Sequence, residues 1–355
     1  MTPKISVEKR LEVPSLVEFG VPILSIVLGL LLGSILFLIV NINPLKAYSI
    51  LFLGSFGSLH AISETLVKAI PLMLCALGTA VAFKASFWNI GAEGQLQMGA
   101  FAATWVALSI GTLSPAITIP IMFLAGFTLG GLWGVIPALL KTKLGADEIV
   151  TTLMMNFISI FWIYYWIYGP WRDPEAYGVS RSYIFPANAQ LPVIPGTRIH
   201  LTLFVALAMA VIIYLMLYRT KIGYEIRVVG DNPKAAIYAG MNVTAVITFV
   251  NFICGGLSGI AGVGEVAGVV KALVKGFSPG YGYTAIIIAW LAKLHPIGVV
   301  IASILFGGLL VGGHTVQVLF GIPIAIVTAF EALILFCILG GEILKRYRIT
   351  VRWKG

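Results

Sequence analysis

Charge is what this chain has least of. Charged residues make up 10% of its 355 positions, against about 25% in an ordinary soluble domain, so a solvated globular surface is excluded. Cysteine is almost as scarce. Cys75, Cys254 and Cys337 each sit inside an apolar run, which excludes a disulfide framework and a clustered thiolate metal site. The four histidines, His60, His200, His295 and His314, are scattered, and no metal or cofactor is assigned. No G-x-x-x-x-G-K-[ST] phosphate loop occurs, so the chain is not expected to hydrolyse ATP itself. H-E-x-x-H is also missing, which argues against a metalloprotease. No catalytic residue is assigned, and the chain is read as a non-enzyme. A net charge of +9 suggests nucleic acid only in a soluble protein. Here it fits cationic residues held at the cytoplasmic ends of helices.

What the chain has in plenty is apolar sequence, 59% by composition with a mean hydropathy of +1.00. Runs near twenty residues recur from end to end, and only helices or closed barrels satisfy their backbone in lipid. The pattern predicts an all-α polytopic membrane protein with about ten spans. These centre on 19–40, 66–83, 93–111, 115–140, 149–168, 200–218, 244–265, 282–292, 297–313 and 322–341. The eighth covers only about half the hydrocarbon core at ~1.5 Å per residue and reads as a half-helix or broken span. The first run follows a basic start without an A-x-A cleavage site and reads as a retained span.

Sixteen of the 23 basic residues fall on one side of this layout, which places both termini in the cytoplasm. The expected organisation is a cytoplasmic segment 1–18, a transmembrane domain 19–342 and a basic cytoplasmic tail 343–355. Residues 169–198, rich in Pro and aromatics, form an ordered external loop, and residues 41–65 suit an amphipathic surface helix. Residues 219–243 form a polar cytoplasmic loop. Within it Asn232-Pro233 has the chemistry of a helix start and Gly240 that of a helix stop. Glycines spaced by four, such as Gly126/Gly130/Gly134 and Gly255/Gly259, suit close helix packing in lipid.

Several polar groups interrupt the apolar runs. Asn89, Glu93, Gln95 and Gln97 open the third span, and Thr152 and Asn156 lie in the fifth. Such groups at membrane depth face a cavity or another helix, so they either line a path or bond neighbouring spans. Asp147 and Glu148 suit the positive end of a helix dipole. Glu265 precedes a turn full of glycine, proline and aromatics, Phe277 to Tyr283, where a broken helix exposes backbone polar groups. Glu93, Glu265 and Glu331 also leave open a stand-alone ion-coupled secondary transporter.

Taken in order, NIGAEGQLQMGA (Asn89–Ala100), KLGADEIVTTLMMN (Lys143–Asn156), YGPWRDP (Tyr168–Pro174), VVGDNPKAAIYAGMNV (Val228–Val243) and GFSPGYGYTAI (Gly276–Ile286) resemble the permease subunits of bacterial and archaeal ABC importers. The closest group is the ribose/branched-chain amino-acid permease family, in its nucleoside/simple-sugar branch. The resemblance covers about residues 20 to 342. It implies alternating access driven by a separate cytoplasmic ABC ATPase, with transport of nucleosides or simple sugars across the cell membrane. It also implies a second permease subunit of different sequence and an extracellular substrate-binding lipoprotein, and it involves no nucleic acid. On this resemblance the helix from Asp231 to Gly240 is the coupling helix. Glu225, Arg227, Gly230, Asp231, Asn232, Pro233, Ala236 and Gly240 then carry ATPase coupling, with Ala236 at the docking contact. Asn89, Glu93, Gln95, Asn156 and Glu265 are the candidates along the substrate path.

Overall fold

The computed structural model describes residues 3–9, 14–176 and 178–353. Arg10, Tyr177 and Lys354, which belong to the expected terminal segments and external loop, lie outside the described residues. The chain is helical, as its apolar runs require. Helices α1 (Ser15–Ile39), α2 (Pro44–Phe56), α3 (Leu59–Lys84), α4 (Ala92–Ile110), α5 (Pro115–Leu144), α6 (Glu148–Tyr168) and α7 (Thr202–Arg219) come first. Then follow α8 (Lys221–Asp231), α9 (Pro233–Tyr238), α10 (Val243–Val263), α11 (Tyr281–Leu291), α12 (Pro296–Phe320) and α13 (Ile324–Arg346). A short antiparallel ladder of β1 (Pro3–Lys9) on β2 (Tyr347–Trp353) joins the two ends of the chain, so they lie side by side.

Among the described residues, seven helices are long and apolar enough to cross a membrane, or eight if the bent pair Ile23–Ile39 and Pro44–Phe56 is one span. The sequence pattern suggested about ten. Helices at the other two places do form, but α11 is too short and α4 is not among the seven. The polar opening AEGQLQ accounts for the reduced hydropathy of α4.

Local chemistry sets the boundaries. Asn43 accepts a hydrogen bond from Leu45 N at 2.9 Å with Pro44 at the first helical position, starting α2. Asp147 caps α6 through Val150 N at 3.0 Å, and Glu148 behind it pairs with Lys141. Gly145, at φ 69°, closes α5. Asn242, which begins a glycosylation-like N-V-T, instead caps α10 through Ala245 N at 3.0 Å.

The chain divides into two compact units, residues 1–61 with 309–355, and residues 62–308. The first unit is built around Phe37, Ile42, Ala47, Val316, Val327 and Phe330, with the Phe37 and Phe330 ring centroids 5.1 Å apart. In the second unit α4 is enclosed, every residue from Ala92 to Thr104 being buried. α10 is also largely buried, at 78% of its span window, whereas α5 and α6 bury only 28% and leave apolar faces for lipid.

The enclosure depends on backbone-to-backbone approach. A Cβ at Gly255 would fall on the carbonyl oxygen of Gly130, and one at Gly130 would fall on that of Gly255. Gly99 of α4 meets Gly259 of α10 in the same way. The four-residue glycine spacing therefore serves the packing expected of it. Gly255→Val should destabilise the protein by about 3 kcal/mol or more, since backbone atoms cannot move aside as a flexible side chain does. The thermal unfolding midpoint in detergent checks this, and a wild-type midpoint would refute the close contact.

Candidate functional site

Helix α4 begins inside the protein. Asn89 Nδ2 lies 3.1 Å from Cys254 Sγ, and a Cβ at Gly78 would lie 2.8 Å from the Cys254 carbonyl. Asn89 and Gly78 therefore flank the same residue of α10. Gly78 is six residues before the end of α3, about 9 Å back along the helix. The chain leaves α3 at Lys84, turns at Ser86 (φ 53°) and re-enters before α4 starts.

A helix start at that depth has amides without intrahelical partners, and side chains supply them. Asn89 Oδ1 accepts from Gly91 N at 2.7 Å, Asn156 Oδ1 from Gly94 N at 2.8 Å, and Thr152 Oγ1 from Ile90 N at 3.2 Å. Asn156 Nδ2 donates to Ile90 O at 2.9 Å and to Tyr283 OH at 3.2 Å. Gln95 accepts from Asn89 Nδ2 at 3.4 Å and from Cys254 Sγ at 3.7 Å, tying α4 to α10. Asn89, Gln95 and Asn156 are fully enclosed, and the geometry gives them bonds between spans. Of the two readings open at the outset, bonding fits these three.

Glu93 and Gln97 differ. Both line a cavity of about 280 Å³, together with Tyr164 of α6 and Ser278, Gly280 and Tyr283 of the segment before and within α11. Glu93 Oε2 accepts from Gly282 N at 2.9 Å, and Gln97 Nε2 donates to Glu93 Oε1 at 3.5 Å. Gly282 approaches so closely that a Cβ there would strike the Glu93 backbone. The N-termini of α4 and α11 thus meet at one carboxylate. Gln97, Tyr164, Ser278 and Tyr283 are absent from the path residues selected from the sequence. The glycine- and aromatic-rich turn was the signal available for the last two.

Glu265 is buried in a π-helical turn, Gly264–Val270, that continues α10, and it is not among the cavity's lining residues. That turn and the residues just after it are braced by the 169–198 loop. Leu191 N donates to Ala267 O at 3.0 Å, Phe185 N to Lys271 O at 2.9 Å and Ser182 N to Leu273 O at 2.8 Å. The loop is ordered in turn by Arg181 on Asp173 at 2.9 Å and by Trp171 stacked on Phe101 at 5.0 Å. No local pattern signals partners some ninety residues apart.

The polar segment 219–243 holds two helices, not the single one expected. α8 precedes α9, and Asn232 caps α9 through Lys234 N at 3.0 Å and Ala235 N at 3.1 Å. Gly240, at φ 77°, follows its end, as its position suggested. Arg227 bonds Leu217 O and lies over the Tyr218 ring at 5.8 Å. Gly230 O accepts from Ser86 Oγ at 2.7 Å, and its Cα abuts the Lys84 carbonyl. Glu225 lies 3.7 Å from Lys221 on the surface. Asp231 ends α8, and Pro233 takes the first position of α9. Ala236 has no exposed surface, whereas Ile237 is 63% and Tyr238 94% exposed. Ile237 and Tyr238 are therefore the large apolar side chains on the outward surface of α9, and Ala236 is not on it.

Residues 61–339 match the family described as the branched-chain amino acid transport system/permease component. The chain belongs to that permease family. It is 35% identical to the glucose ABC transporter permease protein TsgB13 of Haloferax volcanii, over 99% of this chain and 95% of that protein. It is 35% identical to the guanosine ABC transporter permease protein NupP of Bacillus subtilis, over 89% and 91%, respectively. It is 32% identical to the nucleoside ABC transporter permease protein NupB of Lactococcus lactis, over 90% of each. No solved structure matches it significantly. The chain is thus a multi-pass membrane permease subunit of the ABC importer type, not a secondary transporter or an enzyme. Membership implies a partner ATPase and a binding protein.

Asn156→Ala should lower stability by ~1–3 kcal/mol for each of Gly94 N–H and Ile90 C=O left unpaired. An unfolding midpoint in lipid nanodiscs measures it, and an unchanged midpoint would return Asn156 to the substrate path.

Proposed function

We propose that this permease imports nucleosides or simple sugars by alternating access, powered by a separate cytoplasmic ATPase and supplied by an extracellular binding lipoprotein. The small polar cavity at the meeting of α4 and α11 carries this reading. Glu93, Gln97 and Ser278 offer hydrogen-bonding groups for a hydroxyl-rich solute, and Tyr164 and Tyr283 offer ring faces. At about 280 Å³ it lies at the lower edge of the ~300–1,000 Å³ of ordinary ligand sites. That size suits a passage site that holds its solute weakly, with selectivity left to the binding protein. The names of the relatives, one for glucose and two for guanosine or nucleosides, agree with the two substrate classes.

On this reading some ten helices cross or enter the membrane, with α4 and α11 as discontinuous elements whose N-termini face the solute. Both termini are cytoplasmic. The basic-residue distribution supports that side, and the β1–β2 pairing supports their being on the same side. The domain limits follow, with 1–18 and 343–355 in the cytoplasm around the 19–342 permease domain. A second permease subunit of different sequence completes the translocation path.

The α8–α9 segment is the contact to the ATPase. Arg227 and Gly230 fasten it to the ends of α7 and α3, Asn232 and Gly240 delimit α9, and Ile237 and Tyr238 form the docking face. Ala236 supports that face from beneath.

Two experiments test the reading in the reconstituted complex. Gln97→Leu should reduce uptake of labelled guanosine or glucose about five- to tenfold, the value of one lost hydrogen bond, without changing basal ATP hydrolysis. Wild-type uptake of both solutes by that variant would remove the cavity from the path. Tyr238→Asp should separate ATP hydrolysis from uptake while leaving membrane insertion intact. Ala236→Asp should lower folded yield instead. Tight coupling retained in Tyr238→Asp would count against α9 as the docking element.

A further inference from the structure

We propose that Tyr218 is a positioning residue for energy coupling, its ring holding α8 against the ends of α3 and α7 and the start of α12. The inference rests on the reading of α8–α9 as the ATPase contact. Tyr218 stands in the last turn of α7, and side chains from three other parts of the second unit converge on its ring. Lys84, the last residue of α3, places Nζ 5.4 Å from the ring centroid. Arg227, in the middle of α8, places Cζ 5.8 Å from it. The ring of His295, the residue before α12, lies 5.5 Å away at 34°.

Among the described residues neither Lys84 nor Arg227 pairs with a carboxylate. Glu225, two residues before Arg227, faces Lys221 instead. The negative face of the Tyr218 ring is therefore a counter-charge that the two cations share. Arg227 also donates to Leu217 O, so one side chain fastens α8 to both backbone and ring of the same α7 turn. Lys84 is doubly engaged as well, its carbonyl abutting Gly230 of α8 while its ammonium reaches the ring. With the ring in place, like charges from α3 and α8 are drawn to one centre. Without it they repel each other.

His295 brings in the next span. Its carbonyl accepts from Val299 N at 2.9 Å at the opening of α12. Tyr214, one turn before Tyr218, backs the assembly, its ring 5.3 Å from Tyr218 and 5.7 Å from His295. A displacement of α8 thus reaches the ends of three spans through a single ring. That ring is not part of the core. α7 packs through the buried Ala210, Ile213 and Leu217, whereas Tyr218 is 36% exposed. Replacing Tyr218 removes the shared contact without opening a core cavity.

The solute imported per ATP hydrolysed, measured in the reconstituted complex, tests this. Tyr218→Leu should lower that ratio about fivefold, the Boltzmann factor of two exposed cation–π contacts. Tyr218→Phe, which keeps a ring face, should retain the wild-type ratio. Lys84→Met should lower it about twofold alone and add nothing to Tyr218→Leu, because the ring it acts through is gone. A side chain needed only for folding changes uptake and hydrolysis together and leaves the ratio alone. A wild-type ratio in Tyr218→Leu, an equal defect in Tyr218→Phe, or additive losses in the double variant would overturn the proposal. If Tyr218→Leu does not assemble, an unchanged ratio in Lys84→Met overturns it. Uncoupling by Tyr238→Asp with none by Tyr218→Leu strikes the ring alone, whereas tight coupling in both variants strikes the ATPase contact with it.

Discussion

The start of α4 is the constraint around which the second unit is arranged. A helix that begins at membrane depth presents free amides where no bulk water can reach them. Leaving one unpaired costs ~1–3 kcal/mol, so the surrounding spans must bring acceptors. Asn89 folds back from the re-entrant turn, and α6 contributes Thr152 and Asn156. These bonds require α6 to lie close to α4. The glycine contacts of α10 with α4 and α5 then allow the remaining walls to close around it. Polar satisfaction and glycine packing are two parts of one solution: each is useful only because the other holds the backbones at the distance it needs.

The same arrangement gives a short mechanical route on the proposed reading. Ser86 bonds the end of α8, and three residues later Asn89 bonds the wall of α10. Glu93, the cavity carboxylate, is four residues further on. A displacement of the α8–α9 segment therefore reaches the re-entrant turn directly, as well as the ends of α7 and α3. The turn is held by directional bonds at both ends, so it transmits motion instead of absorbing it. Ser86 and Gly230 are separated by 144 positions, and the contact is made by a hydroxyl and a backbone carbonyl.

Much of this architecture was legible in the sequence because it rests on local chemistry. Apolar runs marked the spans, Asn232-Pro233 and Gly240 marked α9, and the four-residue glycine spacing marked the close packing. What depended on distant partners was not legible. Asn156 and Glu93 have the same signature in one dimension, a polar group in an apolar run. Only the fold shows that one amide is consumed by the backbone of another helix while one carboxylate faces a cavity. The direction of Ala236 was hidden for a similar reason. A six-residue helix has no repeat long enough to reveal its buried side. α8 was missed because Gly223 and Gly230 lower its helical propensity, although Thr220 caps it through Gly223 N at 3.2 Å.

The cavity's chemistry also bears on what can pass. The positive ends of α4 and α11 converge on the Glu93 carboxylate, and Gly282 N already donates to it. The helix ends that would otherwise attract an anionic ligand are thus already supplied with an acidic group. Lys275, set between the lining residues Val274 and Gly276, is held over the rings of Tyr164 at 5.2 Å and Tyr168 at 5.9 Å. A phosphorylated solute would have to approach a carboxylate whose compensating amide is in use. An uncharged polyol or nucleoside meets acceptors, an amide and aromatic faces without that penalty. On the proposed reading the permease therefore selects against negative charge, a coarse filter that leaves the finer choice among the remaining solutes to the binding protein.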